Sequence, residues 1–314
     1  MWLLFAFSAP ILWAASTHID KYMVERFFKQ NGVATLMVFT ALMSLVPLSL
    51  IAIFCPGLGS VPRLSAVVII ASGMLYMAAM FLYLRALQSE EASVVAPFYQ
   101  ATPVFGFVLA YFVLGEKLSS RQMVGGFLIV LGTFLASTKF ASDKKHFNYR
   151  LIALMLGCAF ALAVASIIFK MFAVREDFWP TIFWTFVGEA SFGVTLLLAP
   201  RCWRQFVQSL KGNSKALLTI NGVNELINFA GSLGARYAMV LAPRGLVQAI
   251  SSTTSLFVFT FGVALTVFAP SLGREDLAPG NLARKGISAG LVAIGVIIIG
   301  NTSAGTQPYA AATL

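Results

Sequence analysis

Apolar residues occur along this chain in long blocks separated by short polar connections. Ten apolar stretches follow one another, each close to the roughly 20 residues that a helix needs to cross a bilayer. They cover residues 2–22, 33–54, 64–86, 92–114, 121–140, 150–172, 179–199, 215–239, 244–268 and 284–303. Because hydrocarbon offers an exposed backbone no hydrogen-bond partners, each stretch is predicted to be helical. The pattern therefore predicts an all-α membrane protein with ten transmembrane helices.

The composition supports a membrane protein. Of the 314 residues, 59% are hydrophobic and only 11% are charged, and the mean hydropathy is +0.84. A soluble protein of this length would need more charge to cover its surface. The net charge of +10 fits loops that lie against anionic lipid. No basic stretch is interleaved with polar surface, so the predicted partners are the lipid bilayer and a small-molecule substrate, with no nucleic acid.

A basic connection at residues 142–150 divides the ten stretches into two halves of five. The hydropathy of the halves agrees stretch by stretch, and a shift of 149 residues places Lys21 on Lys170. Since five is odd, the second half must enter the membrane from the opposite side. The chain is therefore predicted to hold two inverted-topology five-helix repeats, an arrangement that recurs in secondary transporters. The predicted boundaries are 1–141 for the first repeat, 149–305 for the second, and 306–314 for a disordered tail.

The turn between the fourth and fifth stretches carries a recognisable motif. Ser119 and Gln122 have the spacing of a capping box, which satisfies two N–H groups at a helix start. Glu116 is expected to accept from other N–H groups of the same helix end, so Glu116 and Ser119 are predicted to be structural. The small residues of the fifth stretch allow another helix to approach closely; they are Gly125, Gly126 and Gly132.

These residues resemble the end of an EamA repeat of the drug/metabolite transporter superfamily. The motif consists of Pro103, Leu114, Gly115, Glu116, Leu118, Ser119, Gln122, Gly125 and Gly132. Trp13 followed by Lys21 matches the first helix of that family, although Ala14 replaces the usual glycine. In the second half, Leu162 replaces the tryptophan and Ser255 the proline. The resemblance implies a multi-pass transporter of the cell (inner) membrane that moves small metabolites or amphipathic compounds, most often outward.

Polar side chains within the apolar stretches mark a candidate site, because such residues are costly in a membrane and usually face a cavity or another helix. The predicted substrate-binding residues are Trp13, Thr17, Tyr99, Gln100, Asn221, Asn224, Asn228, Gln248 and Ser252. Glu225 and Glu189 are predicted to couple proton movement to transport, unless Lys170 or Arg236 neutralises one of them. The alternative for all these groups is hydrogen bonding that holds the helices together.

Other functions remain open at this point. One alternative is a carrier or flippase for a lipid-linked or nucleotide-linked sugar, and another is a non-transporting membrane subunit or sensor. Motifs of ATPases, hydrolases and metal sites are missing, so no enzyme activity, cofactor or metal is predicted. The protein is expected to be a monomer or homodimer, with Gly286 and Gly290 packing within the protomer and dimerisation as the alternative role of this pair. Orientation is undecided, since the basic loops place both termini outside whereas the resemblance places them inside.

Overall fold

The computed structural model describes residues 2–27, 33–55, 57–89, 101–137, 149–268 and 279–303. All regular elements in these ranges are helical, which confirms the all-α prediction for the described part of the chain. A 3₁₀ turn lies at Leu58–Ser60. The α-helices are α1 (Trp2–Phe27), α2 (Val33–Met43), α3 (Leu45–Phe54), α4 (Arg63–Ser89), α5 (Ala101–Leu114), α6 (Ser120–Ser137), α7 (Tyr149–Arg175), α8 (Phe178–Leu197), α9 (Pro200–Leu241), α10 (Arg244–Ser251), α11 (Thr254–Phe268) and α12 (Pro279–Ser303). Tyr99, Gln100, most of the basic connection and the predicted tail lie outside the described residues.

Several of these helices are suited to cross a membrane. Five spans are long and apolar enough by themselves, and a sixth is added when α8 and the start of α9 count as one bent span. Helices α5, α6 and α12 contribute shorter apolar segments. Large apolar side chains stay exposed on the bundle, with Phe112 77%, Ile53 72% and Phe268 86% accessible. Lipid is the environment in which such a surface is stable, so the chain is a multi-pass membrane protein.

Helix α9 differs from the sequence prediction. Residues 200–214 were expected to connect two spans, but they form the beginning of one continuous helix of 42 residues. Pro200 occupies the first helical turn, where its missing N–H costs nothing. Phe206 is buried against Phe39, with ring centroids 4.8 Å apart, while Arg201 and Arg204 are exposed. This amphipathic segment is polar enough to resemble a loop in a hydropathy pattern.

The two halves of the chain pack mainly against each other. Helix α1 lies along α9, α4 lies against α7 and α8, α5 lies against α7 and α10, and α6 lies along α12. The pair formed by α6 and α12 is close because glycines face each other. A Cβ atom on Gly295 would lie 2.6 Å from the Gly125 carbonyl oxygen, and one on Gly132 would lie 2.8 Å from the Ser288 oxygen. The predicted close approach at Gly125 and Gly132 is confirmed.

The GxxxG pair in α12 does not pack as predicted. Gly286 and Gly290 are exposed, and an added Cβ atom at either position meets no other atom within 4 Å. Ser288, on another face of the same helix, is fully buried. The helix therefore turns Ser288 and Gly295 toward α6, and the expectation that Gly286 and Gly290 pack within the protomer is wrong. The sequence motif marks small residues but does not tell which of them face the neighbouring helix.

Candidate functional site

The polar face predicted on α9 points into the bundle. Asn221 and Asn224 are fully buried, while Glu225 and Asn228 are half-buried. The Thr40 hydroxyl of α2 donates a 2.9 Å hydrogen bond to Glu225 Oε1. Neither polar atom of the Asn221 side chain has a hydrogen-bond partner among the described residues. An unsatisfied buried amide is costly, so this part of the face needs a ligand, water or a rearrangement to complete it.

Glu189 lies buried near the middle of α8 and is paired with an arginine of α9. Arg236 Nη2 donates to Glu189 Oε1 at 2.7 Å. The guanidinium carbon also lies 5.1 Å from the ring centroid of Phe169 and 5.0 Å from that of Phe186, both within the range of a cation–π contact. This geometry confirms one of the two neutralising pairs considered from the sequence, and it identifies Arg236 as the partner of Glu189.

Tyr76 of α4 is half-buried and lies within electrostatic range of Glu189, Arg236 and Glu225. These four residues are called the central cluster below, and they come from three helices of both halves of the chain. Tyr76 was missed in the sequence because tyrosine is common in apolar helices, and the only hint at helical spacing just before it is a serine, Ser72.

The other predicted binding residues occupy separate places. Trp13 is half-buried against α9, where a Cβ atom on Gly231 would lie 3.0 Å from its indole nitrogen. Thr17 is exposed and donates to the Trp13 carbonyl oxygen of its own helix at 2.8 Å. Ser252, at the end of α10, contacts the Thr133 hydroxyl of α6 at 3.2 Å. Gln248 is half-buried on α10.

The turn between α5 and α6 forms the predicted capping box. The Ser119 N–H donates to Gln122 Oε1 at 2.9 Å, and the Gln122 N–H donates to Ser119 Oγ at 3.3 Å. Gly115 adopts a positive φ of 64°, which glycine tolerates without strain. The local spacing in the sequence was enough to predict this arrangement, because both hydrogen bonds join residues three positions apart.

The sequence suggested that Glu116 binds the N–H groups of the following helix, but the structure places it elsewhere. Its carboxylate instead forms an ion pair with Lys170 of α7 and accepts a 2.9 Å hydrogen bond from the backbone N–H of Arg244. Lys170 Nζ also donates to the Ala242 carbonyl oxygen at 2.7 Å. The three residues Glu116, Lys170 and Arg244 are called the turn cluster below. The reason for the correction is tertiary, since α7 and the start of α10 bring their groups to this turn.

Arg244 was not recognised from the sequence, because a basic residue at the start of an apolar stretch usually lies at the water interface. In the structure its side chain is fully buried beside Gly106 of α5. Among the residues that the structure describes, no group of three His, Cys, Asp or Glu side chains is arranged to hold a metal ion. Within the described ranges, buried charges group into the central cluster and the turn cluster.

Comparison with known proteins agrees with this architecture. A solved structure titled only "Crystal structure of protein" is similar over 96% of this chain and 96% of that chain, with a TM-score of 0.69 and 15% sequence identity, so the likeness concerns the fold alone. No curated protein matches the chain. Residues 1–138 match the model of the EamA-like transporter family. The resemblance carried by Trp13, Lys21 and the motif around Glu116 is thus confirmed for the matched part of this multi-pass membrane protein, which is 138 of its 314 residues.

Proposed function

We propose that the protein is a secondary-active transporter of the cell (inner) membrane, which exports a small metabolite or amphipathic compound by alternating access. The family match over residues 1–138 is the observation that carries the transporter class. The more detailed parts of the proposal rest on the buried charged side chains. Glu189, Arg236 and Glu225 lie inside a bundle of apolar helices, and intramembrane ionisable groups usually serve a transport pathway.

The packing of the helices supports two repeats of five spans, with proposed boundaries at 1–141 and 149–305. In this proposal α2 and α3 form the second span, and α10 and α11 form the ninth. Exchanging spans 1–5 with spans 6–10 converts the contact of α1 with α9 into that of α7 with α4, which also exists. The same exchange converts α5 with α7 into α10 and α11 with α1, and α4 with α8 into α9 with α2.

Three further contacts map onto themselves in this exchange: α2 with α8, α5 with α10, and α6 with α12. Such a pattern is expected of two repeats related by a two-fold axis. Because each repeat holds an odd number of spans, the axis lies in the membrane plane and the repeats are inverted. Rocking of one repeat against the other would then expose a shared midplane site to each side in turn.

The proposed substrate site lies along the polar face of α9. Trp13 borders it one helical turn beyond Asn228, and the unsatisfied amide of Asn221 offers a donor and an acceptor to a polar solute. Glu225 is the proposed proton carrier because its half-buried carboxylate lies on the polar face of α9, beside the buried Asn221 and Asn224. Glu189 is the rival, held in an ion pair by Arg236. Asn224 lies on the same face of α9. The remaining predicted contacts are proposed to meet the solute at other points of its passage; they are Thr17, Tyr99, Gln100, Gln248 and Ser252.

Flux measurements in sealed vesicles test the proposal. Purified protein is reconstituted, and a panel of amino acids, organic acids, amphipathic amines and nucleotide-linked sugars is followed with and without a pH gradient. Flux of at least one compound above that of empty vesicles is expected. Flux of nucleotide-linked sugars alone would favour the carrier alternative. No flux of any compound by folded, correctly inserted protein would favour a non-transporting subunit.

A further inference from the structure

Arg244 presents a buried cation whose hydrogen-bonding capacity is unused. The side chain is 0% exposed, and its Nε, Nη1 and Nη2 atoms have no acceptor among the residues that the structure describes. A guanidinium carries five N–H donors and keeps its charge in proteins. Leaving such a group buried without a partner is strongly unfavourable. The Arg244 guanidinium therefore needs a hydrogen-bond acceptor that the described residues do not supply.

The neighbouring carboxylate does not meet this requirement. Glu116 Oε1 pairs with Lys170 Nζ, and Glu116 Oε2 accepts from the backbone N–H of Arg244 and not from its side chain. Lys170 gives a further hydrogen bond to the Ala242 carbonyl oxygen. The turn cluster therefore contains two cations and one anion, and the excess positive charge is located on the Arg244 guanidinium.

The space around the guanidinium depends on a glycine. Gly106 of α5 lies directly against it, and a Cβ atom at that position would overlap the Nη1 atom of the guanidinium. Gly106 and Arg244 belong to α5 and α10, which are equivalent helices of the two proposed repeats in contact with each other. The unpartnered cation thus lies where the two halves of the chain meet. In alternating access, movement at this boundary would open and close the path of the solute.

We propose that Arg244 binds an oxyanion group, a carboxylate or a phosphate, of the transported solute. A planar guanidinium binds these groups through two parallel hydrogen bonds, and an oxyanion would neutralise the excess charge of the turn cluster. This inference rests on the proposed transport function and narrows its substrates to anionic or zwitterionic compounds. Movement of one half against the other would open the contact between α5 and α10 and admit the ligand.

Thermal unfolding of the purified full chain in a neutral detergent tests binding without transport. The probes are benzoate, its uncharged isostere benzamide, and inorganic phosphate as a separate arm. Benzoate or phosphate is expected to raise the melting temperature saturably, whereas benzamide is not. Arg244→Met should abolish this response, and Arg244→Lys should weaken binding at least tenfold because lysine lacks the planar fork. Arg63→Met, at an exposed arginine on α4, is the matched control and should respond like the wild type.

Folding controls keep the result interpretable. Without added anion, Arg244→Met should melt at or above the wild-type temperature, because it removes a buried charge that lacks a partner. Gly106→Ala keeps the charge but displaces the guanidinium, so it should also weaken benzoate binding. The inference is overturned if neither benzoate nor phosphate stabilises the wild type, or if both stabilise Arg244→Met as well. It is equally overturned if only phosphatidylglycerol stabilises the wild type, since Arg244 would then bind a lipid headgroup.

The two proposals can fail separately. Anion binding that depends on Arg244, combined with no flux in vesicles, would retain the site and reject transport. Flux of uncharged or cationic compounds that is unaffected by Arg244→Met, with no stabilisation by anions, would retain transport and reject the site.

Discussion

Lys170 of α7 forms an ion pair with Glu116, which lies at the turn between α5 and α6. The pair joins α7, the first helix of the second half of the chain, to the turn before α6, the last helix of the first half. Both side chains are nearly inaccessible, at 9% and 4% exposure, so water contributes little to their solvation. Removing either side chain would leave the other as a buried charge without a counterion, which lowers the stability of the protein.

Glu116→Gln should destabilise the protein far more than the loss of a helix cap would. The sequence alone suggested a cap, which is worth about 1 kcal/mol. The structure instead predicts a loss of about 3–5 kcal/mol, because the change leaves the buried Lys170 ammonium without its carboxylate. Unfolding of the purified protein in mixed micelles, followed by intrinsic fluorescence, measures the difference.

The control for this effect is Glu176→Gln. Glu176 Oε1 lies 3.6 Å from Nε of the exposed Arg175, a pair worth about 0–1 kcal/mol, and a glutamine can still accept the 3.1 Å hydrogen bond from Ser65 Oγ. The double variant Glu116→Gln with Lys170→Met removes both charges of the pair and should recover part of the lost stability. Equal losses for Glu116→Gln and the double variant would contradict a direct pairing energy.

Glu225→Gln should remove the pH dependence of transport. The substitution keeps the shape and the hydrogen bond from Thr40 but cannot exchange a proton. Flux driven by a pH gradient should fall about tenfold or more, toward the level of passive exchange, while substrate exchange at equal pH persists. Radiolabelled uptake into vesicles at several pH values measures both rates.

Glu189→Gln is the matched comparison, since it places the same change in the central cluster. It should lower stability by leaving Arg236 without its carboxylate, yet keep the pH profile. If the profile is lost in Glu189→Gln and kept in Glu225→Gln, the proton carrier is Glu189. If both profiles stay unchanged, neither carboxylate couples protons to transport.

Arg236→Lys should weaken the central cluster although it keeps the charge. A lysine ammonium lacks the planar group that lies over the rings of Phe169 and Phe186, so the contacts with both rings are weakened. The expected loss is about 1–2 kcal/mol of stability, from the range given for partly desolvated cation–π contacts. Unfolding of Arg236→Lys, of Phe186→Leu and of the variant that carries both changes measures it. Additive losses would show that the arginine and the ring do not interact.

Gly295→Leu should separate α6 from α12. The Gly295 Cβ position lies 2.6 Å from the Gly125 carbonyl oxygen, so a larger side chain forces the helices apart. Overpacking of a close contact costs about 1–3 kcal/mol or more. Gly290→Leu places the same side chain on an exposed face of the same helix and should leave the protomer stability within about 0.5 kcal/mol. Similar losses in both variants would disagree with the described packing.

The proposed inverted repeats predict that the N-terminus and residue 146 lie on opposite sides of the membrane, because five spans separate them. Reporter fusions at these two points determine their sides, and they also settle the conflict between the basic loops and the family resemblance. Reporters on the same side would reject the inverted arrangement. A third fusion at residue 57, between α3 and α4, should report the side of the N-terminus.

Local features were predictable from the sequence, and long-range partners were not. The capping box at Ser119 depends on residues three positions apart, and its hydrogen bonds are those expected. Lys170 was predicted to belong to the membrane part, and it is buried. The partners of Glu116 come from residues more than 50 positions away, and no local pattern specifies them. Arg244 looked like an interfacial residue because its burial arises only when α5 and α10 meet.

The uninterrupted helix α9 has a mechanical consequence. Its 42 residues extend about 63 Å, roughly twice the thickness of the hydrocarbon core. The segment that holds Glu225 therefore continues as one helix into the amphipathic part near Arg204. A tilt of about 10° in the buried segment would displace the far end by roughly 5 Å for a 30 Å arm. The outer end of α9 thus acts as a lever, and a spin label at residue 204 would report movements that begin beside the central cluster.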